Sequence, residues 1–102
     1  MTQTFRRDAE RFADEIKELR MTIHRHPEMG NHEYRTAELV ERYLNGLGIA
    51  TKRVLGTAVV GMLRCDNEGS ESGSAKTVAI RADMDALPLS EITGASFASE
   101  VP

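Results

Sequence analysis

Residues 76–88 read KTVAIRADMDALP: an apolar run with β-branched residues at Thr77, Val78 and Ile80 that passes directly into Asp83-Met84-Asp85 and stops at Pro88. The run predicts a strand over Lys76–Ala82, and an acid pair at the end of a buried strand is a common way for α/β folds to present chemistry. Asp83 and Asp85 are two residues apart, so in extended geometry both carboxylates point to one side, where they suit a metal, a histidine or a shared proton. The alternative is structural: one of them pairs with Arg81 or caps the turn. Spacing alone leaves both readings open.

Working back from this stretch, Asp66–Ala75 is rich in Gly, Ser and acids, has no periodicity, and predicts an exposed, mobile connection. Before it, Ala50–Leu55 and Ala58–Arg64 predict two strands punctuated by Gly56-Thr57, an arrangement compatible with a hairpin, with the second strand the more buried.

The first half of the chain has helical periodicity. Phe5, Ala9, Phe12, Ile16, Leu19 and Ile23 recur at alternating steps of four and three, one stripe on a helix that Pro27 ends by about His24 or Arg25. A second stripe, Tyr34, Ala37, Val40, Leu44 and Leu47, follows the turn Glu28-Met29-Gly30-Asn31, and Gly48 stands where a left-handed C-terminal cap belongs. The expected order is therefore α-α-β-β-β, an α/β fold in which a sheet covers the apolar helix faces. After Pro88 the remainder, LSEITGASFASEVP, has turn residues and no clear period.

Composition narrows the function classes. The 102 residues carry a net charge of -3, with 40% hydrophobic and 28% charged residues, as in ordinary soluble globular chains. No basic cluster with interleaved aromatics suits a phosphate backbone, so nucleic acid is not an expected partner. No run approaches the ~18 to 20 apolar residues of a membrane span. The first dozen residues are charged where a signal peptide is apolar, and the single cysteine, Cys65, has no partner for an intramolecular disulfide, so the expected location is cytoplasmic. Cys65 reads as a strand-end residue rather than a nucleophile, because no neighbour in sequence would activate its thiol.

His24, His26 and His32, with Glu28 and Glu33 nearby, have the side chains of a zinc or manganese site. Their spacing argues against one, since helical residues two apart face different directions and Pro27 separates the first two histidines from the third. Turn-anchoring hydrogen bonds and surface histidines are the expected alternative.

Three pieces, in order, resemble the amino-terminal part of the aminoacylase and carboxypeptidase superfamily of metallohydrolases, in its amidohydrolase branch of N-acyl-amino-acid amidohydrolases, hippurate hydrolases and indole-acetyl-amino-acid hydrolases. They are Ile23–Glu33 with Thr36 (IHRHPEMGNHE, then T), Gly56–Val60 (GTAVV, similar to a TGVV strand entry), and Arg81–Pro88 (RADMDALP) with Glu91. Ala58 stands where the family has Gly, and the connection 66–75 is longer and more polar than is usual there.

The resemblance implies a mixed-sheet catalytic domain with an inserted lid or dimerisation domain, of which residues 1–102 are an incomplete N-terminal part. It implies a two-metal zinc or manganese centre that hydrolyses the amide of a small N-acyl amino acid, with homo-oligomerisation through the further domain. The family's HACGHD ligand motif is absent here, so no metal ligand is assigned within this chain and the fragment is expected to be inactive. Asp85 matches the aspartate that stands behind the metals and orients a ligand. Asp83 occupies a position that is a histidine ligand in other branches, which makes it a metal-site neighbour. Two other functions are weighed beside this one: a stand-alone α/β binding or interaction module, and a haloacid-dehalogenase-type phosphatase using Asp83 and Asp85, although Leu87-Pro88 departs from that motif.

Overall fold

The computed structural model describes residues 2–64, 76–87, 89 and 92–100, and the connection 66–75, Cys65, Pro88 and Glu91 lie outside them. The described elements are three helices, α1 (Thr2–Arg11), α2 (Ala13–Arg25) and α3 (Tyr34–Gly46), and an antiparallel pair of strands, β1 (Ala50–Val54) and β2 (Ala58–Met62). The chain divides into two compact units, residues 1–29 with 86–102, and residues 30–85.

In the first unit the long helical stripe is carried by two helices instead of one. At Phe12 the backbone leaves helical geometry (φ -100°, ψ 1°), and its N–H donates to the Ala9 carbonyl, three residues back, at 3.1 Å. The ladder resumes when Ile16 N–H donates to the Phe12 carbonyl at 3.0 Å. No Gly or Pro marks this break, and Phe5, Phe12 and Ile16 are exposed, so no packing on the stripe holds the two helices in line.

α2 has Asp14 and Glu15 in its first turn and His24 and Arg25 in its last, matching the helix dipole at both ends. It ends at Arg25 as the Pro27 rule requires, with His26 displaced to φ -123°, ψ 67°. Beyond the helix, Glu100 N–H donates to the Arg25 carbonyl at 2.8 Å and Ala86 N–H to the Glu28 carbonyl at 2.7 Å. The Phe97 ring meets His24 edge-on at 5.6 Å. The segment after Pro88 thus finds its order by docking at the end of α2, which its lack of period did not reveal.

In the second unit α3 ends in a full Schellman cap. Gly48 at φ 82° donates its N–H to the Asn45 carbonyl, and Ile49 N–H donates to the Leu44 carbonyl, both at 3.0 Å. The chain reverses into β1, and the hairpin closes with Val54 opposite Ala58 and Ala50 opposite Met62. Leu55 (φ 54°) and Gly56 (φ 87°) occupy the turn, both left-handed as a twisted hairpin demands.

The half-buried face of the hairpin carries Thr51, Arg53 and Val59, with Gly61 opposite Thr51. A Cβ on Gly61 would lie 3.2 Å from Leu44 Cδ1 and 3.4 Å from Ile49 Cγ2, so the missing side chain lets α3 close on the sheet. Polar bonds complete the seam. Thr51 Oγ1 donates to Asn45 Oδ1 at 3.1 Å, and Arg53 Nε to Glu41 Oε1 at 2.9 Å, with Arg53 Nη2 on the same oxygen. Arg53 Nη1 also donates to the Gly56 carbonyl at 2.8 Å, which ties helix, strand and turn through one side chain. Ala37, Thr36 and Thr57 are the buried centre of this unit, with Glu33 beside them.

Two expectations are corrected. Lys76–Ala82 is not a strand: Val78 and Ile80 are 85% and 94% exposed, and no described segment offers them a ladder. β-propensity favours extended backbone, but a strand exists only through its pairing, and among the described residues the sheet pairs β1 with β2 alone. Nor is β2 buried. Val60 and Met62 are exposed because α3 covers only the opposite face, and Leu63 lies beyond the pairing.

Gly61→Val is expected to lower stability by about 1–3 kcal/mol through overpacking against Leu44 and Ile49. A urea titration measures it, and combining it with Leu44→Ala should give less than the sum of the two effects. Leu55→Asn, which suits a left-handed turn position, should raise the urea midpoint by the equivalent of about 0.5–1 kcal/mol.

Candidate functional site

The second unit contains an open groove of ≈ 780 Å³. It is lined by Gly30, Asn31 and Glu33, by Val40 and Leu44 of α3, by Val59 and Gly61 of β2, and by residues 80–85. The walls are apolar because α3 turns its stripe toward the hairpin, while the acids come from segments outside regular structure.

The structure separates the two aspartates. Asp83 accepts from Arg81 Nε at 3.3 Å, in a pair that is 91% and 72% exposed. Of the two readings left open by the Asp-x-Asp spacing, the contact with Arg81 is the one formed at Asp83. Asp85 is placed differently: its Oδ2 lies 3.7 Å from the position a Cβ would take on Gly30, and Glu33 Oε1 lies 3.8 Å from that same position. Asp85, which is exposed, and Glu33, an acid from the start of α3, thus both come near Gly30. Residues 33 and 85 are far apart in sequence, so no local spacing announced the pair. The strand end that a phosphatase-type Asp-x-Asp requires is not formed.

The histidines make separate local contacts. His24 meets Phe97, and His26 Nε2 lies 3.8 Å from Glu100 Oε2, in the first unit. In the second, His32 Nδ1 lies 3.2 Å from the Gly30 carbonyl oxygen and its ring stands edge-on to Tyr34. The His32 contact with the Gly30 carbonyl is a local one within its turn. Among the described residues no three His, Cys, Asp or Glu side chains come together in a way that suits a metal. A catalytic zinc or manganese needs three or four protein donors, so the Glu33–Asp85 pair does not by itself fit one. Such a pair can accept hydrogen bonds and position a donor. Among the described residues no helix is long and apolar enough to cross a membrane.

Comparison with known proteins places this geometry in context. The chain is 42% identical over 103 aligned residues to thermostable carboxypeptidase 1 of Saccharolobus solfataricus, covering 99% of this chain and 25% of that protein. It is 40% identical to the hippurate hydrolase of Campylobacter jejuni (84% of this chain, 21% of that protein). It is 38% identical to the putative amidohydrolase YhaA of Bacillus subtilis (87% and 21%). The chain spans between a fifth and a quarter of the length of these curated relatives. No family model matches it, and no solved structure matches it.

Because the Arg81–Asp83 pair is exposed, Asp83→Asn should change the stability of the chain by no more than about 0.5 kcal/mol, read as the shift in a urea midpoint.

Proposed function

We propose a reaction for this chain, which belongs to the family of hydrolases that its carboxypeptidase, hippurate hydrolase and amidohydrolase relatives represent: it is the N-terminal part of a metal-dependent enzyme that cleaves the amide bond of small N-acyl amino acids. The observation that carries this reading is the near-complete match of the chain to these relatives together with the placement of Asp85 in the groove.

Within that reading residues 1–102 are part of a catalytic domain, and Asp85 is a positioning residue. An exposed carboxylate lining a groove is suited to accept the N–H of a ligand histidine and fix its orientation. The zinc or manganese supplies water activation and charge stabilisation when bound. Its ligands and the general base are assigned to residues other than these, so the 102-residue chain is not itself a catalyst. The carboxylate of an N-acyl amino acid gains nothing from the Glu33–Asp85 end of the groove, where like charges repel, so substrate recognition is assigned elsewhere too.

Incubating the chain with hippurate and Mn²⁺ or Zn²⁺ should release no more benzoate than the metal alone, and release above that control would overturn the ligand assignment. The positive test places residues 1–102 in the Campylobacter jejuni hippurate hydrolase in exchange for the matching segment. In this chimera Asp85→Asn should lower kcat by about 10–100-fold, the usual cost of losing a ligand-orienting partner, while Asp83→Asn costs less. Equal losses at both positions would remove the distinction drawn between them.

A further inference from the structure

We infer that Asn45-Gly46, in the last turn of α3, is a latent site of spontaneous covalent modification, which the fold holds closed and which opens when that turn unwinds. The reaction is one of the chain with itself and is independent of the hydrolytic reading.

The sequence supplies the reactive pair. Of the asparagines at positions 31, 45 and 67, only Asn45 precedes a glycine. Glycine has no Cβ to obstruct the approach of its own nitrogen to the preceding side chain. The Gly46 amide nitrogen gives up its proton and bonds to Asn45 Cγ, and the side-chain nitrogen leaves as ammonia, taking that proton with it. The product is a cyclic imide. Water then adds to one of the two imide carbonyl carbons, and the bond from that carbon to the Gly46 nitrogen breaks. Opening at Cγ leaves an aspartate at position 45. Opening at the backbone carbon leaves an isoaspartate, with the chain running through the side chain.

The structure supplies the latch. Asn45 and Gly46 are both exposed, so conformation and not burial protects them. Both belong to α3, where the Gly46 N–H points back along the helix and away from Asn45 Cγ. Closing the imide ring requires the Asn45 backbone to rotate out of its helical ψ. Two bonds oppose that rotation: the Asn45 carbonyl accepts from Gly48 N–H at 3.0 Å, and Asn45 Oδ1 accepts from the Thr51 hydroxyl at 3.1 Å. The same turn brings Leu44 and Ile49 together over Gly61, through the bond from Ile49 N–H to the Leu44 carbonyl. An isoaspartate at position 45 lengthens the backbone between these two residues, so the seam between α3 and the hairpin cannot close as before. Each opening of the last turn thus exposes the second unit to an irreversible loss of its packing.

The test incubates the whole 102-residue chain at mildly alkaline pH and body temperature, with and without denaturing urea. Position 45 is read by peptide mass spectrometry and by labelling with an isoaspartate methyltransferase. The folded chain should convert at least about tenfold more slowly than the denatured one, and its rate should stay flat at urea concentrations well below the unfolding midpoint, as for a local opening. In urea, Asn31 and Asn67 should lag behind position 45. Thr51→Val, which removes the donor to Oδ1, should speed conversion of the folded chain by about three- to tenfold, the worth of one hydrogen bond. Gly48→Ala, which strains the left-handed cap at φ 82°, should speed it by about fivefold or more. Gly46→Ala favours the helix and obstructs the attack, so it should suppress conversion in both states; it keeps the test decisive if the other two variants unfold. Chains converted at position 45 should refold with a lower urea midpoint. Equal rates in folded and denatured chains, no acceleration in Thr51→Val and Gly48→Ala, full reactivity of Gly46→Ala, or an unchanged midpoint after conversion would overturn the proposal. So would a folded-state rate that climbs with urea in step with global unfolding, which would leave the last turn no role as the latch.

Discussion

The close approach of α3 to the hairpin at Gly61 is the constraint on which the second unit depends. With a Cβ there, Leu44 Cδ1 at 3.2 Å would have to give way by a few tenths of an ångström and Ile49 Cγ2 at 3.4 Å would be in tight contact, so a larger side chain has no room without moving them. The Schellman cap serves the same contact, because the bond from Ile49 N–H to the Leu44 carbonyl brings together the two residues that fill the space over Gly61. Arg53 then fixes the hairpin turn to the helix by holding Glu41 and the Gly56 carbonyl at once. One missing side chain, one left-handed glycine and one bridging arginine therefore determine where the groove lies. The apolar residues that the helical stripe supplies only line it.

This explains which features could be read from the sequence. The ends of α2 and α3 were legible because Pro27 and Gly48 act locally, through clash and through left-handed backbone. The hairpin was legible for the same reason, with Gly56 between two runs of strand-forming residues. The break at Phe12 was not, since its neighbours Arg11 and Ala13 are ordinary helix formers and no Gly or Pro stands there. The strand over Lys76–Ala82 failed in the same way: the residues have the right preference, but pairing is not encoded in the run that pairs. The likeness to hydrolases was more legible than the structure: RADMDALP and its two companion pieces resemble amidohydrolases whether or not their surroundings form a ladder, and the chain is 42% and 40% identical to a carboxypeptidase and a hippurate hydrolase.

The acid pair shows how far local spacing carries a site argument. Two residues apart in extended backbone share a side, and that geometry supported a joint role for Asp83 and Asp85. Without a ladder to hold the backbone flat, each carboxylate answers to its nearest partner instead. Asp83 turns to the exposed guanidinium two residues before it, and Asp85 lies beside Gly30, as Glu33 does. The sequence had placed Glu33 with histidines, by proximity along the chain, and the fold places it with an aspartate, by proximity in space. Glu33 is buried as a residue at the start of α3 and makes no side-chain capping bond, and Asp85, itself exposed, comes near the same glycine, so the acid that the fold brings to this end of α3 comes from a segment no local spacing connects to it.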